Sequence, residues 1–241
     1  MDFNNKMLDW QDNPDIREIN QPEYAALEML CMEPLVVDLP ETGEVLIYGD
    51  PFALAEKLDS FQGDNIYNFG GDCGLVTVNN MLIMGGLEST EDEVVGRAIS
   101  MGLCNYSPFN DSSENGGTTV YERQALLNSY GIPSMVFESY AASPDAIASF
   151  VEAGHGVNIS VNAGYAWDDP NYITHGGSNH SITVTGTVRD VQTHELKGLI
   201  VCDSGPGRAD SGRMFMSLDR LNDAYINVPG TTALVTSEPI R

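Results

Sequence analysis

Residues 62–86 read QGDNIYNFGGDCGLVTVNNMLIMGG. One cysteine, Cys73, stands where a glycine-rich turn gives way to an apolar run. The spacing of Val76, Val78, Met81 and Leu82 predicts a helix that begins at Cys73 and stops at Gly85-Gly86. A helix start carries positive partial charge and N–H groups that lack intrahelical acceptors. Both lower the pKa of a thiol placed there and can hold a developing oxyanion. Cys73 therefore reads as a nucleophile, and the rest of the chain must supply a base, an orienting acid and a cleft.

The base has four candidates, the histidines at 155, 175, 180 and 194. His155 lies in AGHG at a helix end and reads as structural or solvated. His175 lies in the loop THGGSN and His194 in the turn DVQTHELKG, both expected to be exposed. His180 opens the strand-like run NHSITVTGTVRD, where a fixed backbone can aim an imidazole at the nucleophile. His180 is the chosen base, with His175 as runner-up. The orienting acid is read in LIVCDSG (199–205), where Asp203 ends an otherwise apolar strand. An acid there is costly unless paired. If 179–189 and 198–204 form a hairpin, Asp203 returns beside His180.

Two side-chain amides upstream of the nucleophile can join the Cys73 N–H in holding an oxyanion. Gln62 lies eleven residues before Cys73, and Asn68 lies five before it. Gln62 is favoured because QGDN reads as a tight turn that the glycine-rich insert can bring back. Asn68 is the alternative. Cys31, Cys104 and Cys202 read as inert thiols in a helix, at a helix end and in a strand.

Away from these residues, helices dominate the first part of the chain. Expected helices cover 22–33, 51–59, the capping-box segment from Thr90, 121–131 and the segment that Ser143-Pro144 opens. Short strands are expected at 35–39, 44–50 and 132–138. After Gly156 the pattern turns to short β-rich runs, with one more helix at 218–225. Residues 105–119 form a polar loop. This order predicts an α+β fold in which a helical lobe carries the nucleophile and packs on an antiparallel sheet.

Bulk properties exclude several functions. The net charge of −24 argues against a nucleic-acid or anionic-membrane surface and leaves a basic partner open. No cysteine pair has CxxC spacing, GxGxxG and P-loop motifs are absent, and the acids of WDDPNY (167–172) lack calcium-loop spacing, so no metal or cofactor is expected. The first 21 residues are polar, without the basic and apolar regions of a Sec signal, and no apolar run is long enough to span a membrane.

The blocks QGDN, GGDCGLVTVNNML, TEDEVVGRAISMGLC, GGTT, NHSITVTGTVRD and LIVCDSGP, with the run from SLDRLNDAY to TSEPIR, together resemble papain-like cysteine peptidases of the bacteriocin-processing, double-glycine type. More closely, they resemble papain-like domains of bacterial polymorphic toxins and secretion-system effectors. The resemblance covers roughly residues 45–241, leaving 1–44 as an N-terminal arm and capping segment. It implies a papain-like peptidase domain with a Cys73-His180-Asp203 triad and Gln62 at the oxyanion. It further implies a protein substrate cut after Gly-Gly, and a cognate immunity protein as partner. A glutamine deamidase or transglutaminase on the same fold is the alternative. No transporter or membrane segment follows, which favours a stand-alone effector. Such an effector is made in the bacterial cytoplasm and leaves by a route that reads no cleavable signal to act in a target cell.

Overall fold

A computed structural model describes residues 34–39, 43–58, 60–205 and 214–240. The arm over 1–21 and the helix expected over 22–33, with Cys31, lie outside the described residues. The fold is α+β, with one antiparallel sheet of eight strands among the described residues.

Strands β1 (Leu35–Leu39) and β2 (Gly43–Gly49) open it, followed by helix α1 (Pro51–Lys57). Three helices come next: α2 (Cys73–Met84), α3 (Glu91–Met101) and α4 (Val120–Ser129). After them run β3 (Ser134–Glu138), α5 (Pro144–Glu152), β4 (Val157–Val161) and the short α6 (Ala163–Trp167). The chain continues with β5 (His180–Asp190), β6 (Leu196–Cys202), β7 (Met214–Ser217), α7 (Leu218–Leu221) and β8 (Thr232–Thr236). A single π-type turn, Asn222–Ile226, extends α7.

Local chemistry explains the helix starts. Thr90 and Glu93 form the expected capping box. Thr119 and Glu122 form a second one at α4, hidden in the sequence by the polar loop before it. Ser143 caps α5 with Pro144 in its first turn.

The sheet is organised around β5, whose residues His180 to Val188 are all buried. One edge of β5 pairs with β6 from Thr183 to Arg189. The other edge pairs first with β4, over His180–Val184, and then with β2, over Gly186–Asp190. The register slips between Val184 and Gly186, leaving Thr185 as a bulge at the changeover. A Cβ on Gly186 would stand 2.9 Å from the Tyr48 carbonyl oxygen and 3.1 Å from the Pro51 ring, so glycine alone fits where β2 and α1 close in. β1 joins the outer edge of β2, so the segment before residue 44 contributes a strand to the same sheet.

Ten of the twelve residues of α2 are buried, so it is a central helix and not an amphipathic surface one. One side packs with α3 and α4 around Phe69, Leu75, Val78, Met81, Leu126 and Leu127. Its other side meets β5 through polar groups. Thr77 Oγ1 lies 3.3 Å from Ser181 Oγ, and Asn80 Nδ2 donates to Thr183 Oγ1 at 3.2 Å. Each such buried bond adds only about 1 kcal/mol net, but an unmade one costs about 1–3 kcal/mol. The seam therefore fixes the rotation and register of α2 against β5. Those two elements carry the site.

Candidate active site

Cys73 is the first residue of α2, as the glycine-rich turn predicts, and it is half-buried. As a first-turn residue its N–H has no acceptor within the helix. His180 begins β5 and is 6% exposed; Asp203 lies one residue past β6 and is 1% exposed. The β5–β6 hairpin pairs Thr183 with Cys202, which brings the two side chains together. His180 Nε2 donates to Asp203 Oδ1 at 2.6 Å. The other ring nitrogen is not used by Asp203, and the imidazole lies near enough to Cys73 for each to shift the other's titration.

The charges follow from this geometry. Burial alone would lower the His180 pKa, but the charges of Asp203 and Cys73 and the hydrogen bonds to both raise it to about 10. Burial alone would raise the Cys73 pKa. The charge and hydrogen bond of His180, the charge of Arg123 and the Ser181 N–H outweigh it and hold the thiol below its ordinary value. Asp203 is likewise held low against its burial by His180, Trp167 and the Gly205 N–H. Together these influences favour a thiolate–imidazolium pair backed by a carboxylate.

Trp167 was not legible in the sequence. Its indole Nε1 donates to Asp203 Oδ2 at 2.6 Å, and its ring centroid lies 5.0 Å from that of His180 in an edge arrangement. The helix that carries it is short but well tied. Asn162 Oδ1 accepts from Gly164 N at its start, and Arg220 donates to the Ala166 carbonyl at its end. The half-buried indole needs a partner for its N–H, and Asp203 supplies it.

The stretch before Cys73 folds as a closed loop. Gln62 N donates to the Ser204 carbonyl at 3.0 Å, which ties Gln62 beside Asp203. Gln62 Nε2 donates to the Gly70 carbonyl at 3.0 Å and shuts the loop behind it. Inside, Asn65 Nδ2 donates to Asp72 Oδ2 at 3.1 Å and to Glu91 Oε1 at 2.9 Å, and Gly63 N donates to Asp72 Oδ1 at 3.0 Å. The eleven-residue spacing from Gln62 to Cys73 is thus absorbed by a self-contained turn. Asn68 is exposed at φ +55° and serves that turn, its N–H donating to the Asn65 carbonyl. Burial, then the hydrogen bond and charge of Glu91, push the Asp72 carboxyl up to about 9. Asp72 therefore keeps its proton at neutral pH and spares the neighbouring thiolate a like charge.

The remaining histidines stand elsewhere. His155 Nδ1 is bound to the Thr236 carbonyl at 2.7 Å, a structural contact. His175 and His194 are exposed, His194 at φ +58° in the β5–β6 turn. Among the described residues no group of three or more His, Cys, Asp or Glu side chains could hold a metal ion, and no helix is long and apolar enough to cross a membrane.

These charges predict an alkylation order. Cys73 is expected to react with iodoacetamide at lower pH than the other described cysteines. Burial, then Glu122 and Asp72, push Cys104 up to about 11, so it should react only in alkaline solution. Buried Cys202 should react last. Peptide mapping across pH 5–10 measures this order, and equal labelling of Cys73 and Cys104 at pH 6 would contradict it.

No family model and no curated protein matches the chain. Among solved structures, one of SERA5E from Plasmodium falciparum matches at 13% identity over 79% of this chain and 94% of that one, with a TM-score of 0.42. A likeness of that size carries no argument, so function rests on the site itself.

Proposed function

We propose that this chain is a papain-like cysteine peptidase with Cys73 as nucleophile. The observation that carries this reading is His180, buried, bonded to Asp203 through Nε2 and close enough to Cys73 that each shifts the other's titration. In the reaction, the Cys73 thiolate attacks a peptide carbonyl, forming the C–S bond. Asp203 keeps the imidazolium aimed while it donates its proton to the leaving amine as the C–N bond breaks. The Cys73 N–H and a Gln62 Nε2–H hold the oxyanion. Neutral His180 then takes a proton from water, which attacks the thioester and releases the acid and the thiolate.

On the resemblance of the sequence blocks, the finer reading is an effector that cuts a target protein after Gly-Gly and is restrained in the producing cell by an immunity protein. The test of the activity is terminal labelling of a bacterial lysate incubated with the protein. New peptide N-termini are expected with the wild type and not with Cys73→Ala. A one-dalton gain on glutamine side chains without new termini would replace the peptidase by a deamidase.

A further inference from the structure

Arg123, on α4, is a buried cation that the triad does not use; it is 4% exposed. Its NH2 group donates to Ser160 Oγ at 2.7 Å, and NH1 donates to the Thr118 carbonyl at 3.3 Å. NH1 also donates to Thr118 Oγ1 at 3.4 Å, and all three acceptors are neutral. Its Nε is buried without a partner. Among the described residues Arg123 makes no ion pair with a carboxylate. Glu122, beside it on α4, has its carboxylate committed to the Thr119 N–H at 2.6 Å. A guanidinium buried in this way needs an anion near it.

The first turn of α2 supplies one. A Cβ built on Gly74 would lie 3.1 Å from both Cδ and NH1 of Arg123 and would overlap Thr118 Oγ1. The guanidinium therefore packs against the backbone of the residue that follows Cys73. Gly74 is the residue that permits this approach.

We propose that Arg123 is a positioning residue for the Cys73 nucleophile, a fixed second counter-charge that stabilises the thiolate from behind α2 while His180 does so from β5. This rests on the reading of Cys73 as nucleophile. The two counter-charges differ in one respect that matters to the chemistry. His180 gives up its proton to the leaving amine and must act as a neutral base when water attacks the thioester. Arg123 keeps its charge throughout, because burial lowers its pKa only to about 10. As the C–S bond breaks and its electron pair returns to sulfur, Arg123 is the cation already in place.

The charged groups facing Cys73 are His180 from β5, Arg123 from α4 and, through His180, Asp203 from the end of β6. Asp72, next in the chain, is neutral below about pH 9. The facing groups of Arg123 are Cys73 and Glu122.

The test is the pH profile of Cys73 alkylation by iodoacetamide, read by peptide mapping in the full chain. Arg123→Met is expected to move the midpoint up by about one pH unit or more, whereas Arg123→Lys, which keeps the charge, should stay near the wild type. A folded Arg123→Met protein whose profile superimposes on the wild type overturns the proposal. If Arg123→Met does not fold, Arg123→Gln, which keeps amide donors but not the charge, decides. There the midpoint should again rise, and a profile that superimposes on the wild type overturns the proposal. A wild-type Cys73 without a reactive acidic limb would instead overturn the nucleophile itself. An acidic limb that needs His180 and ignores Arg123 would overturn only the role given to Arg123.

Discussion

Replacing His180 with alanine is expected to lower peptide-bond cleavage by about 10⁴- to 10⁶-fold, comparable to the loss in Cys73→Ala, because the members of such a unit do not act independently. The size follows from what His180 does at its position. In the proposed reaction it supplies the proton for the leaving amine and accepts one from water, and it is the largest favourable influence on the Cys73 thiolate. The variant should therefore also shift Cys73 alkylation to higher pH.

Stability will change as well. Asp203 is 1% exposed, and without His180 its carboxylate is a buried charge without its cation, a loss of about 3–5 kcal/mol for a broken buried pair. The pH dependence gives an independent check. The folded pKa of His180 is raised to about 10, so its contribution to stability is complete below about 6.5 and disappears as pH rises through about 10. Wild-type protein should thus lose thermal stability across that alkaline window, and His180→Ala should lose less. Thermal melts at pH 6 and pH 10 measure this. An alkaline loss of the same size in both proteins would mean that His180 is not the charged partner of Asp203.

What could be read from the sequence was local or carried by one strand pair. Cys73 at a helix start follows from a glycine-rich turn meeting an apolar run. His180 and Asp203 follow from two β runs and the short turn between them, since hairpin pairing fixes which ends meet. The groups that tune the site come from further away. Trp167 reaches Asp203 from a helix 36 residues earlier, and Arg123 reaches Ser160 across 37 residues. Nothing in the pattern around either residue states where its tertiary neighbours stand. Along the stretch from Gln62 to Cys73, sequence distance is not spatial distance. Hydrogen bonds through Asn65, Asp72 and Gly70 fold the extra residues onto themselves.

Asp203→Asn is the second large effect, and it should act through Trp167 as well as through charge. Asp203 accepts three hydrogen bonds and donates none: Oδ1 takes His180 Nε2 and Gly205 N, at 2.6 and 2.8 Å, and Oδ2 takes Trp167 Nε1 at 2.6 Å. An asparagine can serve the first two with its carbonyl, but its amide N–H₂ then faces the indole N–H, donor against donor. The other flip sets the same conflict against His180. The expected cost is about 1–3 kcal/mol for the buried donors left unsatisfied. Loss of the negative charge also weakens the imidazolium, and with it the thiolate, so turnover should fall by about 10²- to 10⁴-fold. Trp167→Phe separates the two contributions. Alone, it removes a hydrogen bond to a charged acceptor and should cost about 1.5–3 kcal/mol. Combined with Asp203→Asn, it removes the donor conflict, so the double variant should be more stable than the sum of the single losses implies. Its alkylation profile should remain that of Asp203→Asn, because no charge has been restored. Strictly additive stability losses in the four-protein cycle would show that the indole and the carboxylate are not coupled. Recovery of low-pH Cys73 reactivity in the double variant would show that Asp203 acts by orientation and not by charge.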